Sequence, residues 1–188
     1  EKEVLNKIIS LGGQAILTDP NLPSGTDRVF EAIKNKNNIN KFDSIINLQG
    51  DMPIIDPKYI VKVNTPLIQG FDIGTLVTDL NDNQIGNSNV TKAKIKWIKR
   101  NTIGQAFDFY KSSKEIQDNT YHHVGIYSFR YRTLKKFISL PPSNNEKNRQ
   151  LEQMRALDAN MSIGVGYIKN APIGVDTFED LLKIEKLM

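Results

Sequence analysis

Short apolar segments alternate with helical ones along most of this chain, and this alternation restricts the fold more than any other feature. The first apolar segments are residues 14–18 and 44–48, and each leads through a turn to a helix-start signal. The signals are Ser24 in a capping-box pattern and the dipeptide Asp56-Pro57. Strand, helix, strand, helix is the order of strands joined by right-handed crossovers on a parallel sheet. The sequence therefore predicts an α/β fold.

The remaining patterns extend this prediction to the end of the chain. The predicted strands are 73–79, 93–98, 106–110, 121–129 and 162–168, and the predicted helices are 1–11, 57–69, one from 131, one through 151–157 and one from 177. A chain of 188 residues fits one domain with a core of ample size. We therefore predict that residues 1–188 form a single α/β domain.

Composition removes several classes of function. The chain has no cysteine, which excludes disulfides, thiolate metal sites and cysteine nucleophiles, and which is compatible with the reducing cytoplasm where we expect the protein. No apolar run approaches the ~20 residues that a membrane-spanning helix needs. With 39% hydrophobic and 24% charged residues, the chain has the balance of a globular protein.

The net charge of +4 suits a polyanionic partner such as a nucleotide or a sugar acid. The basic residues are scattered, and Lys92, Lys94 and Lys96 alternate along a predicted strand. This alternation predicts a solvated face of the sheet. A nucleic-acid-binding protein is disfavoured because no stacked aromatic platform accompanies the charge, so we expect neither a nucleic-acid nor a membrane partner.

Polar residues follow three predicted strands, at the edge where α/β sheets bind ligands. The segment Ser24-Gly25-Thr26 opens a helix, where it either caps the helix or holds an anion. Asp51 follows the strand 44–48, and Asp176 follows the strand 162–168. Each carboxylate either belongs to a turn or helix cap or is a ligand for Mg²⁺, and two at neighbouring strand ends could share one ion.

Period two along the strand 121–129 places His123 and Tyr127 on one face, with Gly125 between them. Val124 and Ile126 point to the other face, which has the composition of a core. Glu152 and Gln153 flank the inward face of a later helix, and their plain interpretation is a solvated helix edge.

The order of five motifs adds what the single motifs do not. They read S-G-T-D-R, N-L-Q-G-D-M-P, H-H-V-G-I-Y-S-F-R, L-E-Q-M-R-A-L and G-V-D-T-F-E-D-L. This series resembles the 3-deoxy-manno-octulosonate (Kdo) cytidylyltransferase family, also called CMP-Kdo synthetases, across essentially the whole chain.

The resemblance implies a fold of the nucleotide-diphospho-sugar-transferase type, a Rossmann-like mixed sheet with helices on both faces. It also implies a homodimer that uses Mg²⁺ and CTP to make CMP-Kdo for lipopolysaccharide biosynthesis. The site residues carried over by the resemblance are Ser24, Gly25, Thr26, Arg28 and Gln49 for the nucleotide, Asp51 and Asp176 for the metal and catalysis, and His123, Tyr127, Glu152 and Gln153 for the sugar.

Two departures accompany the resemblance. Lys111 stands where the family commonly has, in an F-S-R motif, an arginine that contributes to the sugar-acid site, so the resemblance implies a sugar-binding role for Lys111; lysine keeps the charge without the bidentate fork. The family's opening strand and its P-x-R-x-x-S-x-R-x-P-G-K-P loop have no counterpart here, a unit of about 50 residues. We therefore expect the chain as given to be the C-terminal part of the domain and inactive in cytidylyl transfer. A cytidylyltransferase for sialic acid or another nonulosonate, and a non-catalytic nucleotide- or sugar-binding module, remain alternatives.

Overall fold

The computed structural model describes residues 1–36, 41–111, 118–175 and 177–187. Their contacts divide the chain into two compact units, Glu1–Phe42 and Asp43–Met188. The single domain over residues 1–188 therefore remains a prediction. Within the described ranges, no helix is both long and apolar enough to cross a membrane.

The first unit contains the helices α1 (Lys2–Ser10) and α2 (Gly25–Ile33). After α1 the chain turns at Gly12, whose φ of +80° is a left-handed conformation that glycine adopts at no cost. The strand predicted at 14–18 is wrong, because these residues have no strand conformation and pair with none of the described strands. A strand is stable only through its ladder partners, which an apolar run does not supply. Ser24 caps α2, as predicted, by accepting a hydrogen bond from the Asp27 amide.

The second unit is built on one six-stranded sheet in the order β1-β5-β2-β6-β4-β3. The strands are β1 (Ile45–Asn47), β2 (Ile73–Thr78), β3 (Lys92–Lys99), β4 (Ile103–Tyr110), β5 (Thr120–Phe129) and β6 (Ile163–Tyr167). Among the described strands, β2 and β6 are the one parallel pair, and the other pairs are antiparallel. The mixed sheet is confirmed, whereas the parallel pairing suggested by the strand–helix alternation holds for one pair.

Strand β5 pairs with three other strands, and β1, β2 and β3 each pair with a different part or side of it. Ile45 of β1 pairs with Phe129, and Thr75 of β2 pairs with Tyr127. The next pair along β2 is Leu76 with Val124, so the register shifts and β5 bulges between these pairs. Bulges bend a strand and re-aim its side chains, and this one lies beside the predicted sugar residues.

Among the described residues, six α-helices and a short 3-10 helix at Asp82–Gln84 complete the second unit. The α-helices are α3 (Pro57–Lys62), α4 (Thr65–Ile68), α5 (Tyr131–Ser139), α6 (Asn144–Arg149), α7 (Gln153–Asp158) and α8 (Phe178–Glu185). The single helix predicted over 57–69 is wrong, because the chain breaks between α3 and α4. Pro66 lacks an amide proton, and its ring would clash with the carbonyl four residues earlier in a continuous helix. Asp56 caps α3, as predicted.

Every residue of β2 is buried, so the centre of the sheet is covered on both faces. One core cluster joins Leu76, Val124, Ile126 and Ile168 to Val63 beside α3. On β6, a Cβ at Gly164 would overlap the side chains of Phe71 and Pro66. The glycine therefore lets α4 lie close against the sheet.

Candidate functional site

A cleft of about 310 Å³ brings together six residues that the motifs singled out. Its lining includes Gln49, Asp51, His123, Tyr127, Glu152 and Gln153. These residues come from three distant parts of the sequence and reach the cleft from the turn after β1, from β5 and from the start of α7. We call it the smaller cleft.

A larger cleft of about 640 Å³ adjoins the smaller one. The residues that line both are Gln49, Asp51, Asn89, His122, His123 and Gly125. The larger cleft extends past Thr78 and Asp79 at the end of β2 to Lys169 after β6. The larger cleft thus lies at the carboxyl ends of the parallel pair, where α/β sheets bind ligands. Because the two clefts share a wall, two ligands bound in them would lie next to each other.

Asp51 is the carboxylate at the junction of the two clefts, and its side chain is exposed. Its backbone carbonyl accepts a hydrogen bond of 2.9 Å from the Val175 amide, which joins the turn after β1 to the segment before α8. Asp176, the next residue, lies outside the described residues. Within the described part of the chain, no group of three or more His, Asp or Glu side chains could hold a metal ion, and the metal role of Asp51 and Asp176 stays a prediction.

His123 is a buried, neutral imidazole. Its Nε2 lies 2.9 Å from Thr75 Oγ1, and the same hydroxyl lies 2.9 Å from the Ile126 carbonyl inside the bulge of β5. The hydroxyl has one proton, so donation to the carbonyl leaves it to accept from Nε2 and leaves Nδ1 as the acceptor of the ring. Burial, and to a lesser extent His122, lowers the pKa of His123 to about 3. His123 is thus a hydrogen-bonding group without charge.

Tyr127 lies beside His123, with 5.5 Å between the ring centroids, so the two side chains share a face as period two predicts. Burial, and to a lesser extent the Glu152 carboxylate, raises the pKa of Tyr127. The phenol is therefore protonated at neutral pH and can donate a hydrogen bond. His123 also packs edge-on against Phe109 of β4, with 5.0 Å between the ring centroids. The face of β5 that carries His123 is therefore buried there, as is the opposite face that carries Val124 and Ile126.

Glu152 and Gln153 begin α7, and Gln153 is buried. The plain interpretation of a solvated helix edge is therefore wrong for Gln153. An ion pair behind them fixes the corner between α6 and α7: Arg155 Nε donates to Glu146 Oε2 at 2.8 Å, and Nη2 contacts Oε1 at 2.5 Å. The Arg155 side chain is 3% exposed and that of Glu146 is 13% exposed.

The predicted nucleotide segment belongs to the first unit. Ser24 accepts a hydrogen bond from the Asp27 amide, Gly25 is the first residue of α2 and Thr26 is buried. The Arg28 guanidinium donates to the Thr18 hydroxyl at 3.0 Å and to two backbone carbonyls, of Asp19 and Pro20. The nucleotide role of these residues stays a prediction.

Lys111 is half-buried, and neither cleft, as lined by the described residues, includes it. Its backbone carbonyl accepts a hydrogen bond from Lys92 Nζ. Its role in the sugar site stays a prediction.

Three residues near the clefts were not identified from the sequence. Lys92, interpreted as part of a solvated face, is 1% exposed, because β4 and β5 both pair with the start of β3. Asn89 lines both clefts from a loop after β2, and the strand-end rule could have identified it. His122 also lines both clefts, which strict alternation along β5 does not indicate.

Acid should destabilise the second unit, because His123 is neutral when folded. An unfolded chain protonates this histidine near pH 6.5, whereas the folded pKa is about 3. The unfolded state therefore binds more protons between these values, and the free energy of unfolding falls as the pH falls below 6.5. We expect a loss of up to about 1.4 kcal/mol per pH unit from this group.

Urea denaturation between pH 6.5 and 5 measures this slope above the range where most carboxylates titrate. His123→Gln should flatten it in part, because His122, whose pKa burial also lowers, acts in the same direction. An unchanged slope in the variant would assign the effect to another group.

Comparison with known proteins agrees with the motif order. The sequence profile of the family described as Cytidylyltransferase matches residues 1–163. The 3-deoxy-manno-octulosonate cytidylyltransferase of Paramagnetospirillum magneticum is 39% identical over 191 residues, covering 100% of this chain and 78% of the relative. The enzyme of the same name from Rickettsia rickettsii is 39% identical over 188 residues, covering 98% of this chain and 76% of the relative.

Solved structures give the same result. The structure of CMP:2-keto-3-deoxy-manno-octonic acid synthetase complexed with CTP superposes with a TM-score of 0.85 at 29% identity, covering 100% of this chain and 77% of that one. UDP-glucose pyrophosphorylase complexed with UDP-glucose superposes with a TM-score of 0.64 at 10% identity, covering 100% of this chain and 72% of that one, a likeness of fold alone. By its profile match and its relatives, this chain belongs to the 3-deoxy-manno-octulosonate cytidylyltransferase family.

Proposed function

We propose that this protein transfers CMP from CTP to the anomeric hydroxyl of 3-deoxy-manno-octulosonate, giving CMP-Kdo and pyrophosphate. The observation that carries the proposal is the smaller cleft, where motif residues from three parts of the sequence meet. The names of the relatives support the sugar, and the CTP complex of the similar structure supports the nucleotide. A homodimer in the cytoplasm is part of the proposal, on the resemblance alone.

The described residues suit the sugar half of this reaction. Neutral Tyr127 can donate a hydrogen bond to a sugar oxygen, and Nδ1 of neutral His123 can accept one. Glu152 adds a charged acceptor that lines the same smaller cleft. Together these groups would orient a polyhydroxylated ring so that its anomeric hydroxyl faces the α-phosphorus, and such alignment is a large part of catalysis in phosphoryl-type transfer.

Magnesium is the proposed cofactor, with Asp51 and Asp176 as its protein ligands. The exposed carboxylate of Asp51 fits, because Mg²⁺ takes oxygen ligands and retains several waters. The hydrogen bond from Val175 to Asp51 supports the pairing with the residue that follows Val175. When bound, the ion would neutralise charge on the phosphate oxygens. Attack by the hydroxyl and departure of pyrophosphate require no protein nucleophile.

Pyrophosphate release tests the proposed function. The intact natural protein should release pyrophosphate from CTP when Kdo and Mg²⁺ are present, and CMP-Kdo should form in equal amount. N-acetylneuraminate in place of Kdo separates the sialic acid alternative. Faster release with that sugar would overturn the choice of sugar, and binding of CTP and Kdo without turnover would favour a non-catalytic module.

Replacing Tyr127 with phenylalanine should affect the sugar and spare the nucleotide. The variant keeps the half-buried ring and loses one hydrogen bond to the sugar, so the KM for Kdo should rise roughly two- to tenfold while the KM for CTP stays unchanged. Tyr110→Phe is the matched control, because the Tyr110 hydroxyl bonds Thr120 at 3.1 Å and lies outside both clefts as described. A change confined to the KM for CTP would reverse the assignment.

A further inference from the structure

Lys92 is among the largest fully buried side chains of the described chain, and its ammonium is held by backbone alone. Nζ donates to the Asn87 carbonyl at 2.6 Å and to the Lys111 carbonyl at 2.7 Å. The residue begins β3, where its backbone pairs with Tyr110 of β4 and His122 of β5. The amine therefore connects the loop before β3 to the chain leaving β4.

The first of these carbonyls organises residues 87–91, which we call the shared loop. The Asn87 carbonyl also accepts from the Val90 amide at 3.2 Å, and the Thr91 carbonyl accepts from the His123 amide at 2.9 Å. Asn89 lines both clefts, while Val90 lines the larger and Thr91 the smaller. The loop is thus part of the wall between the two clefts, and Lys92 holds it at its first residue.

An apolar side chain would fill this position at lower cost. Removing an ammonium from water is unfavourable, and burial accordingly lowers the pKa of Lys92. Packing alone does not require the amine, whereas holding two carbonyls of different segments does. The long, flexible stem and the rotatable donors of lysine suit that task.

We infer that Lys92 is a positioning residue for the reaction, whose ammonium fixes the shared loop and so sets the width of both clefts. The inference rests on the proposed function for its kinetic consequences. Because Asn89 contacts both clefts, displacement of the loop should weaken CTP and Kdo together, which differs from the sugar-only effect expected for Tyr127.

The test compares Lys92→Met with Lys96→Met in the intact natural protein. Lys96 is exposed on the same strand, so its variant should behave as the wild type. Lys92→Met should lower kcat/KM at least tenfold, raise both KM values, and speed hydrogen exchange at the amides of Asn89 and Thr91. The effect of Asn89→Ala should shrink in the Lys92→Met background, because the loop is already displaced.

A Lys92→Met variant within twofold of the wild-type kcat/KM, or one whose effect adds independently to that of Asn89→Ala, would overturn the inference. Should that variant not fold, Lys92→Gln keeps neutral N–H donors on a shorter stem and should show a partial loss of kcat/KM. Full activity of Lys92→Gln would show that neither the charge nor the reach is needed. Hydrogen exchange reports on the shared loop without any turnover, so it tests the inference even if the wild type proves inactive with Kdo. The inference and the proposed function can therefore be refuted independently.

Discussion

Replacing Asp51 with asparagine should lower kcat by roughly a hundredfold or more, the scale on which removal of one group that stabilises transition-state charge acts. Asparagine has nearly the same shape and removes the negative charge by which the proposed ligand would attract Mg²⁺. The fold should persist, because the Asp51 side chain is exposed and, among the described residues, no hydrogen bond or ion pair engages it. Pyrophosphate release at saturating and at limiting Mg²⁺ measures the loss.

Further variants distinguish a loss of metal binding from a loss of the fold. Asp118→Asn, at an exposed position outside both clefts as described, should leave kcat unchanged. Asp176→Asn should match Asp51→Asn, and the double variant should lose little more, since two ligands of one ion act as a unit. Near wild-type turnover at limiting Mg²⁺ in either single variant would refute the shared metal site.

The largest effect on stability is expected at Arg155, because Arg155→Met removes the cationic partner of the Glu146 carboxylate in a site that is mostly closed to water. Breaking such a pair costs about 3–5 kcal/mol. The substitution also removes the guanidinium from the Phe137 ring, whose centroid is 4.9 Å away. Urea denaturation measures the free energy of unfolding. Since the pair fixes the corner that carries Glu152, the KM for Kdo should rise as well.

Arg149→Met provides the comparison, because it removes a more exposed ion pair from the same region. The side chains of Arg149 and Asp108 are 36% and 28% exposed, so the loss should be near 1 kcal/mol. Arg155→Met combined with Glu146→Leu should recover part of the loss, since the unpaired charge is then gone. If Arg155→Met were no more destabilising than Arg149→Met, the buried ion pair would not be what fixes the corner between α6 and α7.

Local patterns predicted most elements of the second unit, because burial and capping act within a few residues. The apolar runs at β2 and β6 and the cap at Asp56 are examples. The failures depend on partners elsewhere in the chain. Residues 14–18 have the composition of a strand without a strand beside them. Lys92 has the spacing of an exposed residue, but β4 and β5 both pair at its position and enclose it.

The candidate site divides in the same way, into residues that local patterns identify and residues whose positions depend on distant parts of the chain. Strand ends and period two identified Asp51, His123 and Tyr127 as candidates, yet no spacing in the sequence indicates that α7 brings Glu152 to them. The expectation that Glu152 belongs to the same site came from the order of the motifs, through the family resemblance. The bulge in β5, with Thr75 bonded inside it, is likewise absent from any local pattern, because it arises from the register between β2 and β5.

The pairing of β1 with β5 also bears on synthesis at the ribosome. Phe129, the pairing partner of Ile45, is made 84 residues after it (129 − 45). At the usual speed of translation this interval is on the order of ten seconds. During that time β1 has no neighbour from β5, the strand that also joins β2 and β3. The sheet of the second unit therefore closes late, and we expect the nascent chain to depend on chaperones until β5 has emerged.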